Sequence, residues 1–266
     1  GYLYGDGVFE GIRISKRRIF RLPDHIARLH LSARAIGLAL PWSAEEIATI
    51  VKETASAFGQ DEGYVRLIVS RGSGALGVDP ASCSTPRLVC LVGAIALYSE
   101  SQRKRGLSMI TSSLRRPAFD MLDPRVKSLN YLNNVLAKSE AKRQGADEAL
   151  ILNQAGRVCE ASVANIFVVK GDALTTPPSS EGALAGITRQ STIEIARSLA
   201  IPVIEVPLTR LDLLDADEVF LTGSGAGVVN VGALDGQAIG KESDRPATVK
   251  IAIMMDELRT TKGTAF

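Results

Sequence analysis

Between Ser112 and Asp123 the chain loses every regular pattern. The stretch carries two arginines and Pro117, with Pro124 just beyond, and has neither helical nor strand periodicity. Such a segment reads as a connection between domains. It divides the 266 residues into 1–115, a link at 116–125, and 126–266.

Each half mixes strands and helices. In the first, Val8 to Ile14 reads as a strand, Ser15 to Arg18 as a turn and Ile19 to Arg21 as a returning strand. A helix starts at Leu22, with Ile26, Leu29, Ala33 and Ile36 at helical spacing, and stops at Gly37. Ser43-Ala44-Glu45-Glu46 is a capping box for a second helix that closes near Gly59. Tyr64 to Ser70, Leu88 to Leu97 and Leu107 to Thr111 read as strands, and Arg71 to Pro86 as a long loop. The second half predicts a helix over Asn130 to Arg143, then strands over Glu148 to Leu152 and Val158 to Val169 around the turn Asn153 to Gly156. A helix over Thr188 to Leu199 follows. Further strands start at Pro202, Glu218 and Val228, and Thr248 to Leu258 is a closing helix. The pattern predicts an α+β or α/β protein of two domains, with its site in the cleft between them. The chain opens on Gly1-Tyr2-Leu3-Tyr4, without Met, and the expectation is that a preceding stretch, including a strand, is missing.

The bulk chemistry excludes several classes. Net charge is +2, from 31 basic and 29 acidic residues well interspersed, so no nucleic-acid stripe or polybasic membrane patch stands out. Lys16-Arg17-Arg18 and Arg103-Lys104-Arg105 read as solvated loops. Two histidines, His25 and His30, make no metal-ligand cluster. Cys83, Cys90 and Cys159 form no CxxC pair, which fits a reducing cytoplasm. No apolar run is long enough to span a bilayer, and there is no signal-peptide pattern.

Four segments carry chemistry. Lys127 opens Lys127-Ser128-Leu129-Asn130-Tyr131 amid apolar neighbours; as a nucleophile it must be an unprotonated amine, which burial or nearby cations favour. Glu160 ends a short strand, where a carboxylate could keep a pyridine nitrogen protonated. Gly186-Ile187-Thr188 opens a helix with Thr188 as N-cap, an anion site at the positive helix end. In Thr222-Gly223-Ser224-Gly225-Ala226-Gly227, small residues let the backbone approach a ligand. A dinucleotide fingerprint fails there, because a strand rather than a helix follows. Arg28 could neutralise a phosphate, and Tyr64 and Arg66, on one face of a strand, could hold a carboxylate. Taken singly, each also fits an ordinary surface residue or cap.

Taken in order, Tyr4 to Arg13, Arg66 to Arg71 with Leu76 to Pro80, Lys127 to Lys138, Gly145 to Phe167, Thr176-Pro177-Pro178, Gly186 to Arg189 and Ala216 to Ala226 resemble the fold-type IV pyridoxal-phosphate enzymes. The closest resemblance is to branched-chain aminotransferases. It implies a small open α/β sandwich domain and a larger pseudo-barrel domain, the D-amino-acid-aminotransferase-like fold. It implies pyridoxal 5'-phosphate as cofactor, amino acid and 2-oxo acid substrates, and a homodimer or higher homo-oligomer. Lys127 would be the Schiff-base lysine, Glu160 the partner of the pyridine nitrogen, and Tyr131 that of the ring hydroxyl. Arg28, Ile187, Thr188 and Ser224 would hold the phosphate. Phe9, Tyr64, Arg66, Gly225 and Ala226 would line the substrate pocket, and Tyr4 would reach a neighbouring subunit's site. Gly227 and Asn230 depart from the pattern, standing where it has an acidic residue and a proline. The implied reaction is transamination between branched-chain L-amino acids and 2-oxoglutarate. A D-amino-acid transaminase, an aminodeoxychorismate lyase and a cofactor-binding protein without catalysis are the alternatives.

Overall fold

In the computed structural model, which describes residues 1–240 and 245–266, the chain forms two units. The first comprises Gly1–Ile95, Val126–Tyr131 and Leu258–Phe266. Strand β1 (Gly7–Ser15) turns into β2 (Arg18–Ile19) through Lys16 and Arg17, both at positive φ (46° and 57°). Two such residues make the turn that matches strand twist. Non-glycine residues are held in it by Glu62 Oε1, which accepts from Lys16 N at 3.0 Å, and Asp61 O, which accepts from Arg17 N at 3.0 Å.

Helices α1 (Leu22–Ala35) and α2 (Ala44–Phe58) follow, the second opened by the capping box at Ser43 and closed by Gly59 in the left-handed region. Then β3 (Gly63–Ser73) and β4 (Thr85–Gly93) complete a sheet whose order is the C-terminal strand Thr264–Ala265, β2, β1, β3, β4. Alternation puts Val8, Ile12 and Ile14 of β1 and Val65, Leu67 and Val69 of β3 against α1 and α2 in one core. The register sets Phe9, Gly11, Tyr64 and Arg66 on the opposite face.

The second unit comprises Ala96–Arg125 and Leu132–Glu257. Its elements are α3 (Glu100–Arg105), β5 (Leu107–Arg115), α4 (Leu132–Arg143), β6 (Glu148–Leu152), β7 (Val158–Ala161), β8 (Asn165–Lys170), β9 (Ala173–Thr176), α5 (Ile187–Ser198), β10 (Val203–Glu205), α6 (Arg210–Leu214), β11 (Glu218–Gly223), β12 (Gly227–Leu234) and β13 (Gln237–Ala238). Helix α7 (Pro246–Thr261) starts here, with Glu218 accepting from the Ala247 and Thr248 amides at its N-terminus. The strands form one mixed sheet, β10-β9-β8-β11-β12-β5-β6-β7, with β13 on β12. Met109, Leu150, Ile166, Leu221 and Val231, from strands across that order, share one core, so the sheet curls around it. The α+β two-domain class read from the sequence is the observed one.

The division falls elsewhere than at 115 and 126. Strand β5 pairs with β6 and β12 and so joins the second unit, while Val126–Tyr131 belongs to the first, where Val8 bridges Ser128 and Phe9 N donates to Lys127 O at 3.1 Å. The strand expected over Val158 to Val169 is two strands, broken at 162–164. Arg103, Lys104 and Arg105 lie in α3 rather than in a loop. No described helix is long and apolar enough to cross a membrane.

Candidate active site

In the first unit the site is built on the face of the sheet away from the helices. Lys127, half-buried, donates from Nζ to Tyr131 Oη at 3.0 Å. Its ammonium position lies 4.5 Å from the centre of the Phe9 ring, which packs edge-on against Tyr131 at 4.9 Å. The backbone is fixed on both sides: Lys127 N donates to Ser32 Oγ of α1 at 3.1 Å, and its carbonyl accepts from Phe9. Arg66 lies over the Phe9 and Tyr64 rings, with its guanidinium 4.9 Å and 5.6 Å from their centres. Tyr64 reaches across β1 so that its hydroxyl occupies the space a β-carbon at Gly11 would need. Burial raises the Tyr64 pKa, keeping it a neutral phenol. Lys127, Tyr131, Phe9, Tyr64 and Arg66 therefore do come together.

Behind this face lies a cluster in which the sequence reading gave a role to Arg28 alone, as a phosphate partner, and none to Glu10 or His25. Glu10, fully buried, accepts from Arg28 Nε at 2.8 Å and Nη2 at 2.7 Å, and shares a 2.7 Å contact with His25 Nδ1. Burial alone would push the Glu10 carboxyl up; the charge and hydrogen bonds of Arg28, helped by His25, override it and hold it at about 2. Burial lowers the His25 pKa, against the pull of Glu10, so the ring is neutral and donates from Nδ1. Period-two alternation was the signal available: Glu10 falls between Val8 and Ile12 on the helix-facing side. Tyr4 is exposed in the turn before β1.

In the second unit Glu160 is buried at the end of β7. Its Oε1 accepts from Arg116 Nη2 at 2.9 Å; its Oε2 accepts from Asn165 Nδ2 at 3.0 Å and Leu184 N at 3.1 Å. Arg116 is itself buried and donates to Asn134 Oδ1 at 3.2 Å. Asn165 packs its carboxamide oxygen where a β-carbon at residue 186 would stand, so any side chain there would have to displace it. Gly186, not Thr188, is consequently the N-cap of α5; it supplies no side chain, and Thr188 lies inside the first turn with a buried Oγ1 that has no protein partner. Thr222, paired with Asn165 across β8 and β11, has a second such hydroxyl. Ile187 and Thr188 are buried. Ser224, Gly225 and Ala226 form the loop from Gly223 to Gly227, which has φ of 78°.

These features fit a phosphorylated cofactor. The first-turn amides of α5 lack intrahelical partners, and two buried hydroxyls, Thr188 Oγ1 in that turn and Thr222 Oγ1 on β11, lack any. A buried carboxylate with three donors keeps its charge at a fixed place, as protonation of a pyridine nitrogen requires.

The family model for "Amino-transferase class IV" matches residues 7–234, so this chain belongs to the class IV aminotransferases. It is an aminotransferase, and pyridoxal 5'-phosphate is its cofactor. Over 264 residues it is 43% identical to a "Putative branched-chain-amino-acid aminotransferase" of Methanocaldococcus jannaschii, covering 99% of this chain and 90% of that one. It is 34% identical to a D-alanine aminotransferase of Bacillus licheniformis, covering 94% and 87%. The solved branched-chain amino acid aminotransferase of Escherichia coli superposes with a TM-score of 0.93 at 31% identity, covering 98% of this chain and 88% of that one.

Proposed function

We propose that this enzyme moves the amino group between branched-chain L-amino acids and 2-oxoglutarate, as a homodimer in the cytoplasm. One observation carries the reading: Lys127 Nζ, bonded to Tyr131, faces an apolar wall of Phe9 beside the cation of Arg66. An amine for proton transfer, an apolar surface for a branched side chain and a guanidinium for a carboxylate are what this exchange needs. Identity to the Methanocaldococcus protein along nearly the whole chain supports the same substrate class.

Pyridoxal phosphate, when bound, supplies a carbonyl that accepts the amino group and a ring that withdraws electrons. Lys127 Nζ would serve as the base that takes the proton from the substrate α-carbon and holds it for return. Tyr131 Oη accepts from that amine and holds it in place. Glu160, fixed by Arg116, Asn165 and Leu184, would present negative charge to the ring nitrogen. By the family pattern, Arg28, Ile187, Thr188 and Ser224 would hold the phosphate. Tyr64, Arg66, Phe9, Gly225 and Ala226 bind and orient the substrate, and Tyr4 serves the neighbouring subunit. Support for a dimer comes from Val89 and Leu91, apolar residues on β4 that are 44% and 55% exposed in one chain. Support for the cytoplasm comes from the free state of Cys83, Cys90 and Cys159.

The likeness to a D-alanine aminotransferase favours D-amino acids as a second reading. A single-turnover panel of L- and D-amino acids, following loss of cofactor absorbance, decides between them. L-leucine, L-isoleucine and L-valine are expected to react fastest; reaction with D-alanine and none with L-leucine overturns the reading.

A further inference from the structure

Helix α3 has six residues and no buried side chain, too few to be stable alone. Polar anchors hold it. Gln102 Nε2 and Arg105 Nη2 both donate to Asp147 at 2.6 Å. On β12, Asn230, oriented so that both ends of its carboxamide are satisfied, donates to Arg103 O at 3.0 Å and accepts from Arg245 Nη1 at 3.0 Å. From the helix so fixed, Arg103 Nη2 donates to Ala226 O at 2.8 Å.

That carbonyl belongs to the peptide between Ala226 and Gly227. Gly227, at φ 78°, would otherwise allow this plane to rotate, since glycine is permissive there. A charged donor on the carbonyl holds the plane, and with it the direction of the buried Ala226 methyl and the path of the three-residue loop. Asn230 supplies the carboxamide that anchors Arg103, and Gly227 supplies the freedom that the anchor restrains.

We propose that Arg103 is a positioning residue for substrate selection: by clamping the Ala226 carbonyl, with Asn230 clamping its own backbone, it sets the width of the pocket that Gly225 and Ala226 line. This rests on the assignment of that loop to the substrate site. Loss of the clamp leaves cofactor binding intact and loosens the fit to the substrate side chain.

The test compares Arg103→Ala, Arg103→Lys and Asn230→Ala in the holoenzyme with L-leucine and L-alanine as donors. Losing a charge-assisted hydrogen bond is expected to raise the KM for L-leucine about tenfold in Arg103→Ala. The kcat should stay within about twofold, and the leucine-to-alanine ratio of kcat/KM should fall by a comparable factor. Arg103→Lys should recover most of the change, and Asn230→Ala should show a smaller shift of the same sign. Cofactor affinity, measured by fluorescence titration, should not move. A lowered melting temperature with unchanged KM and unchanged donor ratio makes Arg103 a structural staple and overturns the proposal. A wild-type enzyme that turns over neither donor overturns the functional reading beneath it, before any variant is compared.

Discussion

Lys127 and Glu160 are held in opposite ways. The amine has one side-chain hydrogen bond and two aromatic rings around it, and is half-buried. The carboxylate is buried and accepts from a guanidinium, a carboxamide and a backbone amide. A group that must take and return a proton needs room to change partners. A group that must keep its charge needs donors directed at it from fixed places. The Lys127 cluster is therefore built from soft contacts, and the Glu160 cluster from directed ones.

Breaking the soft side should cost activity and little stability. Lys127→Ala is expected to lower the amino-exchange rate by about a thousandfold or more, with the melting temperature nearly unchanged; stopped-flow absorbance and calorimetry measure both. Breaking the directed side should do the reverse first. Arg116→Ala leaves the Glu160 charge buried without its cation and is expected to cost about 3 kcal/mol in urea unfolding. Arg116→Met with Glu160→Leu should recover most of that stability while exchange remains lost.

The Glu10 cluster sharpens the contrast, because its charges serve the fold as well as the site. Glu10, held near 2 against an ordinary 4.5, gives stability that is complete above about 4.5 and is lost as pH falls toward 2. His25 lies below its ordinary 6.5, so as pH falls through 6.5 the unfolded chain takes up a proton that the folded chain does not. Both act in the same direction. The melting temperature should fall from pH 7 to pH 2, through His25 first and Glu10 below about 4.5, and His25→Gln should flatten the upper part of that profile.

The sequence showed the elements that their own residues specify and missed those specified from afar. The capping box at Ser43 and the alternation in β1 are local, and both stand where expected. Strand β5 runs on to Arg115 because Ser112 Oγ and Ser113 N bond Glu140 of α4, a partner that no local pattern shows. Thr188 is the better capping residue by type, but Asn165 decides that the helix starts at Gly186. Of the residues expected at the site, Lys127, Tyr131, Phe9, Tyr64 and Arg66 are found together. Arg116 and Arg103 were not legible, since their partners Glu160 and Ala226 lie 44 and 123 positions away.

Asn165 serves two masters. One end of its carboxamide holds the Glu160 carboxylate, and the other presses against the glycine that opens α5. Positions 165 and 186 therefore cannot drift separately. A side chain gained at 186 evicts the carboxamide and strips a donor from Glu160, so one exchange on a helix cap is felt at a buried carboxylate on another strand. In a lineage of such enzymes, the pair should be inherited as a single character.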